Sequence, residues 1–223
     1  MHFQDVAAKS GSSLKIAHSW IATTLTIALI YALTGNLALQ LALPPGLATP
    51  IFPPTGLAIG TAFVIGRRAW PGVFLGSLIL NLWIGYAADH SMSPTDVFVA
   101  AWIAAASTLQ AGTGGLLMRR LLGYPCVFDK AREIVTYLLL SPLVCLICAS
   151  LSMLSLVALG ILDRVSAVTN GLTWWLGDTM GVLIALPIVM AVIGEPRPLW
   201  RRRKWVIIAP MLVGVVLFVI AFI

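Results

Sequence analysis

Seven apolar stretches separated by short polar segments divide the chain, at about 17–43, 54–66, 70–86, 97–118, 134–162, 171–193 and 206–223. Most approach the ~20 residues a helix needs to cross a bilayer. The second is short, since thirteen residues make only ~20 Å of helix. Prolines punctuate the pattern. Pro44-Pro45-Gly46 ends the first stretch by removing donors and forbidding the helix to continue. Trp70-Pro71-Gly72 opens the third, with proline near the helix start, where its missing N–H does no harm. Ser141-Pro142 is expected to interrupt the fifth. The pattern predicts an all-α polytopic membrane protein, a bundle of about seven transmembrane helices with a short or broken second helix.

Composition agrees. Of 223 residues, 60% are hydrophobic and 10% charged, with mean hydropathy +0.99. A soluble domain carries about a quarter charged residues. The net charge of +6 does not point to nucleic acid, because the basic residues fall in clusters between apolar stretches. With alternating spans, segments 1–16, 66–71, 119–133 and 194–204 share one side, and they hold 13 of the 14 Lys and Arg; Arg164 is the exception. By the positive-inside rule that side is the cytoplasm. The reading places a cytoplasmic head at 1–16, a six-span core at 17–193, a basic connector at 194–204 and a seventh helix at 205–223 leading outward. Localisation follows: a bacterial inner membrane, N-terminus cytoplasmic and residue 223 periplasmic. The polar start and long first stretch read as a retained span, not a cleaved signal peptide.

Polar positions inside the spans carry the candidate chemistry. Asp178 is the one acidic residue well inside an apolar stretch, within Thr173-Trp174-Trp175-Leu176-Gly177-Asp178-Thr179-Met180-Gly181. A carboxylate there costs at least ~2.5 kcal/mol on insertion scales, so it needs a partner, a proton or a wet cavity. No Lys or Arg matches its depth, which makes it a candidate for protonation or for holding a cationic ligand. Counting ~1.5 Å per residue puts Asp178, Asn36 and Asn81 each ~8–10 Å below the outer face. Thr55 opens the second segment near that level. Trp174 lies one turn before Asp178 on the same face. Trp175 and Gln110, in the small-residue-rich fourth stretch, complete the candidate ligand-binding set. The Phe52-Pro53-Pro54-Thr55-Gly56 turn is expected to dip toward the bundle centre, since irregular backbone at membrane depth is tolerated only against protein or a wet cavity. The bland alternative is that these residues are interhelical glue worth ~0.6 kcal/mol each, and the tryptophans part of an aromatic belt.

Other chemistry finds no support. His2, His18 and His90 have no matching ligands for haem or copper, and phosphate loops, nucleophile elbows and metalloprotease helices are absent. No catalytic residue, metal site or cofactor is expected. Cys145 and Cys148 read as small packing residues, and Cys126 as a loop thiol.

The series Ala48-Thr49-Pro50-Ile51-Phe52-Pro53-Pro54-Thr55-Gly56, Gly66-Arg67-Arg68-Ala69-Trp70-Pro71-Gly72, Ala106-Ser107-Thr108-Leu109-Gln110 and Leu172-Thr173-Trp174-Trp175-Leu176-Gly177-Asp178, with Leu33-Thr34-Gly35 and Asn81, resembles the first class of membrane-associated sensor domains, the MASE family. The resemblance implies a non-catalytic N-terminal input module of a bacterial histidine kinase, diguanylate cyclase or cyclic-di-GMP phosphodiesterase. The partners it implies are the lipid bilayer, an unidentified small ligand and a homodimer formed through the parent. Two other classes remain open. A transporter or substrate-binding membrane subunit would use the broken Pro-Pro-Thr-Gly segment, though no internal repeat is evident. A membrane scaffold would recruit protein partners through its inner loops.

Overall fold

The computed structural model describes residues 2–40, 49–126 and 128–194 together with Ala209 and Val213. The described residues form six α-helices and one 3₁₀ turn: α1 (His2–Leu39), α2 (Pro53–Ile65), the turn Gly66–Ala69, α3 (Trp70–Asp89), α4 (Pro94–Leu122), α5 (Ala131–Ala158) and α6 (Arg164–Ile193). Among them no strand occurs. Among the described residues five segments are long and apolar enough to span a membrane, one being Pro53–Ala87, which runs through α2, the turn and α3. The expected count of seven is therefore not confirmed. Two expected spans fall in one segment, and the expected seventh helix at 205–223 lies outside the described residues but for Ala209 and Val213, as does most of the connector.

The caps explain where the helices begin. Ser93 and Asp96 form a reciprocal capping box: the Ser93 hydroxyl accepts from Asp96 N at 3.2 Å, and Asp96 Oδ2 accepts from Ser93 N at 2.8 Å. This starts α4 ahead of the apolar stretch at 97. Asp163 likewise accepts from Val165 N and Ser166 N at 2.9 and 3.0 Å. Its cap starts α6 seven residues before the apolar stretch at 171, which places Asp178 at the middle of a 30-residue helix. The expected interruption at Ser141-Pro142 does not occur. Helix α5 runs continuously through Pro142, and the Pro142 carbonyl accepts from Trp175 Nε1 at 2.7 Å. Neighbouring helices satisfy backbone groups beside such prolines.

Helix α2 occupies the centre. It is largely apolar around its circumference, as a mostly enclosed helix must be, with Ile59 and Phe63 buried. It packs most extensively against α6, then α4 and α1. Helix α4, rich in small residues, packs against α2, α3 and α5.

Small residues make these approaches close. On α3, a Cβ at Gly72 or Gly76 would stand 2.8 Å from the carbonyl oxygens of Thr24 and Ala28 on α1. The seam between 49–56 and α6 is tighter still. A Cβ at Gly177 would overlap the Thr49 carbonyl, one at Gly181 the Phe52 carbonyl, and one at Gly56 the Gly181 carbonyl. Phe52 is extended (φ −121°, ψ 83°), and its N–H donates to Gly177 O at 2.9 Å. The turn thus enters the bundle and lies backbone to backbone against α6. Pro53 and Pro54 then start α2 in its first turn, where they sacrifice no helical bond.

The far end of α2 is closed by Gly66 at φ 68° and by Arg119 of α4. The Arg119 Nη2 donates to Val64 O at 2.6 Å, and its Nε donates to Phe63 O. A cation on the last carbonyls of a helix satisfies acceptors that lack an intrahelical partner. Its guanidinium also lies 5.1 Å from the Tyr124 ring centroid.

Candidate functional site

The seam at Gly177 and Gly181 brings Thr55, the third residue of α2, against Asp178 between them. The Thr55 hydroxyl donates to Asp178 Oδ1 at 2.7 Å, and Gln110 Nε2 on α4 donates to Oδ2 at 3.0 Å. Gln110 Oε1 in turn accepts from the backbone N–H of Cys148 on α5 at 2.9 Å. One carboxylate therefore links four helices. Asp178 is 1% exposed and Gln110 2%, so each bond forms away from solvent. Hydrogen bonds to a charged group are worth ~1.5–3 kcal/mol each. Two of them offset the ~2.5 kcal/mol insertion cost of a carboxylate. Lys130 pairs with Glu133 at 3.4 Å outside the bundle interior, whereas the buried acid is held by the neutral donors Thr55 and Gln110.

Asp178 and Thr55 form part of the wall of a cavity between α1, α2, α3, α4, α5 and α6, with room of about 50 Å³ for the centres of water-sized occupants. At 10–15 Å³ per water this admits on the order of four waters or one small ligand. Asn81 and Trp174 line it too. Asn81 Nδ2 donates to Ser77 O at 2.8 Å and contacts Ser77 Oγ at 3.4 Å. Ser77 Oγ donates to Ser107 Oγ at 3.3 Å, and Ser107 Oγ lies 3.5 Å from Cys148 Sγ. A second polar chain thus runs from α3 through α4 to α5 beside the first.

Four of the seven expected residues line this cavity, Asp178, Thr55, Asn81 and Trp174, and a fifth, Gln110, reaches it only through its bond to Asp178. Two stand elsewhere. Asn36 is half-buried on α1 and does not line the cavity. Trp175 points to the other side of α6, where its indole bonds Pro142 O and its ring borders an apolar groove between α5 and α6. The residues not expected are Tyr31, Thr49, Ser77, Ser107 and Cys148, all on the cavity wall. Tyr31 is buried with Ser107 and Ser77 as side-chain partners, and its ring meets Phe52 edge-on at 6.3 Å. The signal for Tyr31 lies in α1 itself. Thr24, Ala28, Tyr31, Gly35 and Ala38 recur at spacings of four and three, and all are buried. That is one helix face, and Asn36 sits ~100° away from it.

Among the described residues no group of three His, Cys, Asp or Glu side chains is placed to hold a metal ion. The arrangement suits recognition: a fixed carboxylate, ordered hydroxyls and amides, and aromatic walls. The MASE1 family model matches residues 23–223. No curated protein matches the chain, and no solved structure does.

Proposed function

Because the chain belongs to the MASE1 family and is a membrane sensory domain, we propose that the cavity at Asp178 is its sensing site. A small ligand or a change of membrane state binds one packing of α2, α4, α5 and α6 better than another, and so shifts their populations. The parent is a bacterial histidine kinase or cyclic-di-GMP enzyme in the plasma membrane, with the head at 1–16 cytoplasmic. Its signal leaves along α6 into the basic segment at 194–204. Of the seven residues expected at the site, Asp178, Thr55, Asn81 and Trp174 act at the cavity, and Gln110 acts on Asp178 from behind it. Asn36 and Trp175 act on neighbouring helix faces.

The observation that carries the reading is the sharing of one buried carboxylate between Thr55 and Gln110 on a cavity wall. Interhelical glue needs no cavity beside it. The test is the output activity of the full-length signalling protein at matched membrane levels. Asp178→Asn and Asn81→Ala are expected to change the output or its response to stimulus several-fold, and Met180→Ala, on the lipid-facing side of α6, is expected to leave it unchanged. Output indistinguishable from wild type in both cavity variants would overturn the assignment.

A transporter would use the same break at Pro53-Pro54 to carry a substrate past Asp178. Uptake into proteoliposomes that Asp178→Asn abolishes would favour that reading over sensing.

A further inference from the structure

Most of the hydroxyl and amide hydrogens on the cavity wall are already engaged. Thr49 Oγ1 donates to Ile51 O at 2.9 Å, Thr55 Oγ1 to Asp178 at 2.7 Å, and Ser77 Oγ to Ser107 at 3.3 Å. The Asn81 amide nitrogen is turned onto Ser77. What these groups still offer to the cavity is lone pairs: the hydroxyl oxygens of Thr49 and Thr55, Asn81 Oδ1 and the remaining acceptor positions of the Asp178 carboxylate. Among the described lining residues there is no Lys, Arg or His. Carbon lines the cavity as well, from Leu80, Ile84, Phe52 and the Trp174 ring.

We propose that the ligand is a small organic ammonium ion, its N–H groups on Asp178, Thr55 and Asn81 and its few carbons against Phe52 and Trp174. The proposal rests on the sensing-site reading and names the chemistry of that site. An anion meets a buried carboxylate with no basic side chain among the described lining residues to offset it. A neutral polyol leaves that carboxylate without a counter-charge, and each of its own acceptors left buried and unpaired weakens binding. A bare alkali ion uses the oxygens and gains nothing from Leu80 and Ile84. An ammonium carrying an alkyl group uses both kinds of lining, and the aromatic faces add cation–π attraction. The 50 Å³ of room limits the carbon chain to a few atoms.

The test is thermal unfolding of the protein in nanodiscs at constant ionic strength, with N-methylglucamine chloride as a cation too large for the cavity. Ethylammonium chloride is expected to raise Tm saturably, by about 5–10 °C at one hundred times Kd. Asn81→Leu, which leaves Asp178 and both its donors in place, is expected to weaken the response at least tenfold in concentration, and Asp178→Asn to remove it. Stabilisation by sodium or potassium chloride with none from ethylammonium overturns the proposal in favour of an alkali-ion site. Stabilisation by N-methylglucamine acetate or phosphate, or by glycerol, overturns it while leaving a ligand cavity in place. No stabilisation by any of these overturns it as well. An ethylammonium response retained in full by both variants places binding elsewhere and overturns it. The output assay of the preceding subsection uses no ethylammonium, so it judges the sensing site separately.

Discussion

Glycines 171 and 181 lie on one helix and are matched in chemistry, yet their substitutions separate sharply. A Cβ on Gly181 would fall 2.5 Å from the Phe52 carbonyl carbon and overlap its oxygen, whereas real side chains keep such contacts beyond 3.0 Å. The obstacle is backbone, so it cannot rotate away. Restoring contact distance means lifting 49–56 off α6, which strains the Phe52 N–H bond to Gly177 O and draws Thr55 from Asp178. Overpacking of this kind costs ~1–3 kcal/mol, and a weakened backbone bond ~1 kcal/mol more. Helix propensity returns ~1 kcal/mol on replacing Gly by Ala. The net expectation for Gly181→Ala is a loss of ~1–3 kcal/mol, or a Tm lower by ~2–10 °C for a chain of this size. At Gly171 the nearest atom is the Met153 side chain at 3.0 Å. That flexible chain can move, so Gly171→Ala is expected to be neutral or to raise Tm slightly. Differential scanning fluorimetry in nanodiscs, with both variants run beside wild type, makes the comparison. A Gly181→Ala protein as stable as Gly171→Ala would refute the backbone-contact argument.

The other expectations are quicker to state. Arg119→Gln should lower Tm by the equivalent of ~1–3 kcal/mol, by leaving Phe63 O and Val64 O without their donor. Arg119→Lys should fail to restore it, because a point charge does not reproduce the two-pronged contact; full rescue by lysine would count against the cap. Thr55→Val should be more destabilising than Thr55→Ser, and its cost should largely vanish in an Asp178→Leu background, a coupling that a double-mutant cycle measures. Burial, with Glu133 nearby, pushes the Cys126 thiol up from its ordinary value. Less thiolate is then present at neutral pH, so its alkylation rate should still be climbing at pH values where a free thiol has levelled off. At the start of α6, bonds from Ser166 and Val165 hold the Asp163 carboxyl below the usual carboxylate range. A depressed folded-state value means its contribution is present above the unfolded pKa and is lost as pH falls through the folded one. Amide exchange at Val165 and Ser166 should therefore gain protection-loss only at acid pH, and Asp163→Asn should abolish that pH dependence.

Much of the site could be read from residue types and spacing. An acid in an apolar stretch demands donors, and Thr55 was expected near its depth, whereas Gln110 was offered by its residue type alone. The dip of Phe52-Pro53-Pro54-Thr55-Gly56 followed from the need to hide irregular backbone. Asn36 marks what depth alone omits: rise along the axis says nothing of which way a side chain points, and one residue's offset from Gly35 turns Asn36 off the buried face. Trp175 fails for the same reason beside Trp174. Helix ends were placed late at α4 and α6 because the caps Ser93 and Asp163 are polar and precede the apolar stretches they initiate. Ser77, Ser107 and Cys148 were not assigned to the site because hydroxyls and thiols are common in membrane helices, and only their meeting across α3, α4 and α5 sets them apart.

The contact between 49–56 and α6 contains no side chain on either surface at Gly177 and Gly181. Side-chain layers act as cushions: rotamers adjust and absorb small displacements. Here nothing lies between the two main chains to yield. Any ångström by which Phe52 or Thr55 is displaced must be answered by α6 itself, so the entry to α2 and the middle of α6 travel as a single mechanical part.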